Sequence, residues 1–306
     1  MNEKSPEKKE YDKIAMWLLN LECNFRCPYC FYDDSQRSMK TRAADWVRKK
    51  VPALDPYKTR FATPEEIGKF FDETGKRWYI QISGGEPFVY PKFVEIVKRL
   101  SEKHLITIGT NLSLPIDEFI SKISPKNIWS FYVSMHLGER ERQGFSVEDL
   151  LSKVKKLREA GFRVEINYVM YPPLIPRFPE IYKKFEDEGF ELQAKVFRGA
   201  YGGKLYPKAY TEEDRKVFYD FIPSEIDRAA SFDNLSFTGV PCTAGMNLIR
   251  INPGGSITRC PHDRERLGNM FKGKMKLHKK VKNCVVPHCK CTLAIKEGCV
   301  DFRKRK

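Results

Sequence analysis

Three cysteines near the start of the chain have a spacing suited to metal binding. Cys23, Cys27 and Cys30 follow a CxxxCxxC pattern, directly after the apolar run Ile14–Leu21. Closely spaced thiolates favour soft metals, so an iron–sulfur cluster or zinc is the first expectation. A cluster takes four ligands and this loop supplies three, which would leave one iron open for chemistry. The loop is too short to form a core of its own, so we expect the metal group to order it.

These residues resemble the signature of the radical S-adenosylmethionine (SAM) superfamily. The cysteine spacing matches, the aromatic Tyr29 precedes the third cysteine, and a predicted strand precedes the first. A second predicted strand runs into Gly84–Pro87, whose Gly-Gly-Glu-Pro sequence lies where that family binds the methionine amino group of SAM. The alternatives are a zinc knuckle or buried thiols for the cysteines, and an ordinary tight turn for the glycines. The two motifs in this order favour the family.

The resemblance implies a cofactor set and a site. Cys23, Cys27 and Cys30 would be the catalytic residues that hold a [4Fe–4S] cluster, and SAM would chelate its open iron. Reductive cleavage of SAM would give a 5′-deoxyadenosyl radical that abstracts hydrogen from a substrate. Glu86 would accept from the SAM ammonium, whereas a structural role is the alternative for Ser134 and His136. The expected SAM-binding residues are Phe25, Tyr29, Ser83, Gly84, Gly85, Glu86, Asn111, Ser134 and His136.

Strand and helix patterns alternate about six times before Gly199, with short connections. Capping sequences at Thr63–Glu66 and Ser146–Asp149 begin two of the helices, and Ile175–Glu188 is predicted to be mostly one helix. The alternation predicts an α/β fold with a parallel sheet, and the resemblance implies a partial (β/α)6 TIM-like barrel. Ligands of such folds gather at the carboxyl ends of the strands, where the residues singled out above fall.

The chain divides into three predicted parts: a flexible tail (1–12), the barrel (13–200) and a small cysteine-rich α+β extension (201–306). The Gly- and Tyr-rich stretch Gly199–Pro207 is predicted to be the linker between the last two parts. The long connection Phe31–Phe61 is expected to contain a short basic helix at Thr41–Lys50 and to be either a lid or a solvated insertion.

A second cysteine group occupies the last quarter of the chain. A predicted hairpin around Asn252–Gly255 would bring Cys242 and Cys260 together. With Gly255 five residues before Cys260, this resembles the SPASM or twitch extension that carries an auxiliary cluster in many radical SAM enzymes. The resemblance implies one auxiliary [4Fe–4S] cluster. Its candidate ligands are Cys242, Cys260, Cys284, Cys289 and Cys291, and Cys299 would be a spare thiol. The alternative is structural zinc, because soft ligands also include His288 beside Cys289.

The amino-acid composition limits the cellular compartments and partners that we expect for this protein. Nine cysteines, clustered at both ends, do not look like a disulfide framework, and metal binding in a reducing, cytoplasmic compartment explains them better. No segment is long and apolar enough for a membrane span, so no membrane partner is expected. The net charge of +15 favours anionic partners, although a solvated basic surface is the simpler explanation.

The leading functional prediction is an enzyme that modifies a peptide or a polar sugar. An auxiliary cluster would aid oxidation or epimerisation of the substrate, and a low-potential donor such as flavodoxin or ferredoxin would supply electrons. A tRNA-modifying radical SAM enzyme is the second hypothesis, motivated by the net charge, although nucleic acid is not the favoured partner. A non-enzymatic iron–sulfur electron carrier is the third, and it leaves the Gly-Gly-Glu-Pro turn unexplained.

Overall fold

A ten-stranded sheet forms the centre of the molecule, which is seen here in a computed structural model that describes residues 10–30, 59–233 and 235–306. Six parallel strands, β1 to β6, follow one another in sequence order across the sheet. Their bounds are Lys13–Leu18, Trp78–Ser83, Leu105–Thr110, Ile128–Ser134, Val164–Met170 and Leu192–Val196. Sequential parallel strands joined by helices confirm the predicted α/β fold with a partial TIM-like barrel.

Helices connect these strands and bury their apolar faces against the sheet. Their bounds are α1 Pro64–Asp72, α2 Phe93–Ser101, α3 Asp117–Lys122, α4 Leu137–Arg142, α5 Val147–Glu159 and α6 Phe178–Glu186. The predicted capping box of α1 is present: Thr63 Oγ1 accepts from the Glu66 amide at 3.1 Å, and the Glu66 carboxylate accepts from the Thr63 amide at 2.9 Å. Ser146 caps α5 by accepting from the Asp149 amide. Local sequence therefore determines where both helices begin.

The C-terminal part of the chain continues the same sheet. Strand β10 (Leu248–Ile251) lies parallel to β1, with Ile14 opposite Leu248, and β11 (Ser256–Thr258) pairs with it as the predicted hairpin. Two further strands, β12 (Arg266–Asn269) and β13 (Lys274–Met275), complete that edge. The remaining elements are α7 Glu212–Phe218, α8 Glu225–Phe232, α9 Thr292–Lys296 and the strand pair β9 Pro241–Cys242 and β14 Lys282–Asn283.

Two stretches differ in detail from the sequence prediction. Gly199–Pro207 contains a hairpin, because β7 (Gly199–Tyr201) and β8 (Lys204–Tyr206) pair, and its role as the linker stays a prediction. Its turn residues Gly202 and Gly203 both have positive φ, as a two-residue hairpin turn requires. The predicted single helix at Ile175–Glu188 is instead a 3₁₀ segment, Pro172–Arg177, followed by α6, since Pro176 removes a backbone donor.

Some predictions fall outside the described residues. These are most of the tail 1–12 and the proposed helix at Thr41–Lys50 in the long connection. The division at residues 200 and 201 stays a prediction. Among the described helices, none has the length and apolar character to cross a bilayer.

Replacing Thr63 by alanine should lower the free energy of unfolding by about 1 kcal/mol, because the first turn of α1 loses its side-chain cap. Chemical denaturation under anaerobic conditions measures the change. Thr63→Ser keeps the hydroxyl and serves as the control, with a much smaller expected effect. Equal destabilisation by the two substitutions would show that the cap is not the source of stability.

Candidate active site

A cavity of about 530 Å³ opens at the carboxyl ends of the parallel strands. This volume is within the range of cofactor and small-substrate sites. Of the predicted site residues in the barrel, those that line it are Cys23, Phe25, Cys27, Tyr29, Cys30, Ser83, Gly84, Gly85, Asn111, Ser134 and His136. Glu86 is buried and is not part of the lining. The contacts of the lining residues with a cofactor stay predictions, but the fold brings these residues together around one cavity.

The cysteine loop leaves β1 and folds back at the cavity mouth. The Cys30 amide donates to the Cys27 carbonyl at 3.1 Å, and the Phe25 amide donates to Cys23 Sγ at 3.3 Å. Burial raises the pKa of the Cys23 and Cys27 thiols, and the neighbouring Cys30 thiol raises both further. Three thiols that share this space suit a metal group, whose charge stabilises thiolates where the protein alone does not.

Glu139 of α4 anchors the cysteine loop, and sequence reasoning missed it. Its buried carboxylate accepts from the Arg26 backbone amide at 2.7 Å, in the middle of the CxxxCxxC run. Arg142 donates two hydrogen bonds to it, at 2.8 and 2.7 Å, and these hold the pKa of Glu139 down at about 2. Gln143 bridges Glu139 to the Asn24 carbonyl. The Glu-x-x-Arg-Gln spacing was the available signal, but an ordinary helical salt bridge has the same pattern.

The two glycines after β2 allow two backbone segments to touch. A Cβ on Gly85 would lie 2.1 Å from the Glu22 carbonyl oxygen, and one on Gly84 would lie 2.2 Å from Asn20 Oδ1. The Gly85 amide donates to the Asn20 carbonyl at 2.9 Å. Asn20, which the sequence analysis did not single out, also donates to the Glu86 carbonyl at 3.1 Å. The Gly-Gly-Glu turn is thus fitted against the segment that leads into the cysteine loop.

The Glu86 carboxylate holds the end of β3. It accepts from the Asn111 amide at 2.7 Å, from Thr110 Oγ1 at 2.8 Å and from the Phe88 amide at 3.1 Å. Burial raises the pKa of Glu86 to about 7 even though these donors favour the charged form. Its predicted contact with the SAM ammonium stays a prediction. The contacts described here give Glu86 a positioning role for the cavity wall.

Asn111, Ser134 and His136 complete the rim at the ends of β3 and β4. Asn111 Nδ2 donates to Asn24 Oδ1 at 3.0 Å and lies 3.9 Å from Cys23 Sγ, so it connects β3 to the cysteine loop. His136 has a left-handed backbone, with φ of 49°, and its Nδ1 lies 3.3 Å from the Tyr29 hydroxyl. Burial, aided by the nearby Arg140, lowers the pKa of His136 to about 4. The imidazole is therefore neutral near pH 7.

A buried arginine that the sequence analysis did not single out supports this rim. Arg140 is fully buried, donates to the backbone carbonyls of Met135 and Asn111, and lies 3.7 Å from Asp149. Burial lowers the pKa of its guanidinium to about 10, so it stays charged. Its position fixes the backbone just after β3 and β4, where Asn111 and His136 lie.

The six C-terminal cysteines share a second apolar cluster around β9, β10 and α9. The Thr243 amide donates to the Cys299 carbonyl, and the Cys284 amide to the Val240 carbonyl, each at 2.8 Å. Burial raises the pKa of Cys289 to about 11, and the neighbouring thiols that raise it further are Cys284, Cys260 and Cys242. Burial likewise raises the pKa of Cys291 and Cys299, to about 12 and 11.

The donors of both groups are thiols, which suit an iron–sulfur cluster. Among the described residues, no three His, Cys, Asp or Glu side chains lie close enough together to coordinate a single metal ion. Each thiolate of a four-iron cluster binds a different iron, so its ligands stand apart by the width of the cluster. His288, part of the zinc alternative, is exposed, and His262 accepts from the Lys290 amide at 3.3 Å. Which four C-terminal cysteines act as ligands stays a prediction.

Comparison with known proteins agrees with this geometry. Residues 19–185 match the model of the radical SAM superfamily. The chain is 22% identical over 281 residues to mycofactocin maturase MftC of Mycolicibacterium smegmatis, covering 83% of this chain and 66% of that one, slightly less than two thirds. It is 24% identical over 288 residues to a cysteine-type anaerobic sulfatase-maturating enzyme of Clostridium perfringens, covering 81% and 74%.

A solved structure shares the fold. The structure of native anSMEcpe with bound AdoMet and Cp18Cys peptide superimposes with a TM-score of 0.53 and 18% sequence identity, covering 84% of this chain and 77% of that one. The similarity extends beyond the residues matched by the family model, into the C-terminal part.

Gly85→Ala should destabilise the fold and reduce the iron retained after reconstitution, because a Cβ cannot fit against the Glu22 carbonyl. Overpacking of this kind costs about 1–3 kcal/mol of folding free energy, so the melting temperature should fall by several degrees. Gly138→Ala is the matched control, since its Cβ would meet Leu174 at an ordinary 3.7 Å. A Gly85→Ala protein that melts like the wild type and retains the same iron would rule out this close approach.

Glu86 should make folding stability depend on pH between about 4.5 and 7. Its folded-state pKa is raised from 4.5 to about 7, so the folded protein binds the extra proton in this range and loses stability as the pH rises. Denaturation of wild type and Glu86→Gln at several pH values tests this. The free energy of unfolding of the wild type, relative to that of Glu86→Gln, should decrease from pH 4.5 to 7. A pH-independent difference would mean that the Glu86 pKa is normal.

Proposed function

The chain belongs to the radical SAM superfamily, and from this premise we propose that it is a peptide-modifying enzyme with an auxiliary [4Fe–4S] cluster in its C-terminal part. The superfamily uses a [4Fe–4S] cluster together with SAM. Cys23, Cys27 and Cys30 are the residues that would hold that cluster. The auxiliary cluster would take its ligands from Cys242, Cys260, Cys284, Cys289 and Cys291.

The observation that carries the proposal is that the cysteine loop and the residues that follow Cys291 line the same cavity, although none of the six C-terminal cysteines is itself in the lining. Cys23, Cys27 and Cys30 line one side of it. Thr292 and Leu293, which directly follow Cys291, line another. A substrate in this cavity would therefore lie between the two metal-binding parts of the chain. An isolated electron carrier needs no such shared space.

When bound and reduced, the SAM-bearing cluster would supply one electron for the cleavage of SAM into methionine and a 5′-deoxyadenosyl radical, and that radical would take a hydrogen atom from the substrate. The chain's own residues position this chemistry. Glu139 and Asn111 hold the cysteine loop, and Glu86 with Arg140 holds the rim that faces it. The buried aromatic rings of Phe25 and Tyr29 exclude water from the same wall.

Net oxidation is the outcome that we favour. The substrate would lose one hydrogen atom to the adenosyl radical and then one electron and one proton, leaving it oxidised by two electrons. The auxiliary cluster held by the C-terminal cysteines would accept the electron that the substrate radical loses. A low-potential donor such as flavodoxin or ferredoxin would deliver the electron that starts each turnover. Epimerisation is the alternative, and it needs a hydrogen-atom donor in place of the acceptor.

A peptide substrate is supported by the relatives. Two of them are named as maturases, and the solved structure with the same fold holds a peptide together with AdoMet.

Anaerobically reconstituted protein should bind about eight iron atoms per chain and release 5′-deoxyadenosine from SAM after reduction by dithionite. Cys27→Ala should abolish 5′-deoxyadenosine formation, because the first cluster loses a ligand. Iron analysis and chromatography with mass detection measure both quantities.

Cys242→Ala is the informative counterpart. It should lower the iron content to about four atoms per chain while 5′-deoxyadenosine formation persists. Iron content unchanged by Cys242→Ala would contradict the auxiliary cluster assignment, and no 5′-deoxyadenosine from the wild type would contradict the proposed function as a whole.

A further inference from the structure

A charged wall lines the cavity on the β6 side, at the opposite end of the strand order from the cysteine loop after β1. We define it as Glu165 of β5, Lys195 of β6, Asp227 of α8 and Lys296 of α9. All four side chains line the same cavity as the cysteines. None of them belongs to the residues that hold the cysteine loop or its rim.

The carboxylates of this wall already have cationic partners. Asp227 accepts from Lys296 Nζ at 2.5 Å and from Ser224 Oγ at 2.6 Å. Glu165 pairs with Arg163 at 3.3 Å. Among the described residues, Lys195 makes no ion pair within 4 Å. Within the wall, Lys195 is therefore the charged side chain that no ion pair satisfies.

The surroundings of Lys195 make that charge costly to leave alone. Burial in the cavity lowers the pKa of its ammonium and the nearby Lys296 lowers it further, while Asp227 and Glu165 act in the opposite direction. Neither carboxylate forms an ion pair with Lys195, so the partly desolvated ammonium has no direct anionic contact in the wall. A ligand that brings an anionic group to the ammonium would supply that contact.

Resting on the proposed function, we propose that Lys195 binds a carboxylate group of the peptide substrate, and that this contact orients the peptide across the cavity. One ammonium without an ion pair suits one carboxylate. A doubly charged phosphate would meet repulsion from Asp227 and Glu165 in the same wall. Gln193, next but one along β6, also lines the cavity and offers an amide donor beside the ammonium.

The carboxylate can come from an Asp or Glu side chain or from the C-terminus of the peptide. In either case it would be held on the β6 side, leaving the rest of the peptide to extend toward the cysteine loop on the β1 side. The contact would orient the substrate and take no part in cluster binding, because Lys195 lies on β6, five strands along the sheet from β1, which the cysteine loop follows.

Two synthetic random peptide libraries test the inference, one with free C-terminal carboxylates and one with C-terminal amides. Reconstituted full-length protein with SAM is used to retain peptides, which are identified by mass spectrometry. Wild type should retain peptides with a carboxylate about tenfold better than those without, as one charge-assisted hydrogen bond supplies. Enrichment of Asp and Glu in both libraries identifies a side chain, and preference for the free-carboxylate library identifies the C-terminus.

The variants decide whether Lys195 is responsible. Lys195→Gln should lose the preference and Lys195→Arg should keep it. Lys98→Gln, an exposed lysine of α2, controls for the change in net charge and should behave as wild type. Formation of 5′-deoxyadenosine without peptide, measured on the same preparations, should be unchanged in every variant.

Three results would overturn the inference. Retention by wild type without regard to carboxylates, or a preference that survives in Lys195→Gln, would show that Lys195 is not the recognition group. Loss of substrate-free 5′-deoxyadenosine formation in Lys195→Gln would assign the residue to SAM instead. If the wild type forms no 5′-deoxyadenosine, the proposed function is wrong. If it forms 5′-deoxyadenosine but retains peptides without regard to carboxylates, only this inference is wrong.

Discussion

The site depends on one close contact between two stretches of backbone. The turn after β2 lies against the segment that leaves β1, so near that the glycine positions have no space for a side chain. Glu86 then connects this turn to the end of β3, and Asn111 connects β3 back to the cysteine loop. These contacts close a ring of three strand ends around the thiols. A loop without internal secondary structure is thereby held by its neighbours.

Buried charge is concentrated in the same region. Glu86, Glu139 and Arg140 are all nearly inaccessible to water, and each is satisfied mainly by backbone groups or by a partner side chain. Such groups cost free energy to bury, so they are retained where position matters more than stability. Here they fix the backbone from which the cavity-lining residues project. The result is a preorganised rim in place of a set of mobile side chains.

The C-terminal part is joined to the barrel by the sheet itself. Pairing of β10 with β1 extends the parallel order past the first strand, and the hairpin carries Cys260 with it. Main-chain hydrogen bonds therefore set the position of the second cysteine group relative to the first. Helix α9 follows Cys291 immediately and brings Thr292, Leu293 and Lys296 to the cavity. This arrangement puts the cysteine loop, the start of α9 after Cys291 and the charged wall around a single cavity.

Several features could be predicted from the sequence because they are local. The cysteine spacing, the capping box at Thr63, the alternation of strands and helices and the hairpin before Cys260 all depend on residues within a few positions of one another. Most residues expected at the strand ends do line the cavity, since parallel strands present those ends to one edge. The Gly202–Gly203 turn is also local, since both glycines have the positive φ that a hairpin turn of this kind uses.

Only the tertiary structure decided the rest, because it depends on residues far apart in the chain. Glu139 lies 113 positions from its backbone partner at Arg26, and Asn20 lies 66 from Glu86. A carboxylate that anchors a distant loop has the same local pattern as one in a surface salt bridge. The ammonium of Lys195 likewise lacks an ion pair because of packing, since α8 and α9 bring Asp227 and Lys296 together as a pair. Sequence determined which chemistry is available, and packing determined which groups are free to carry it out.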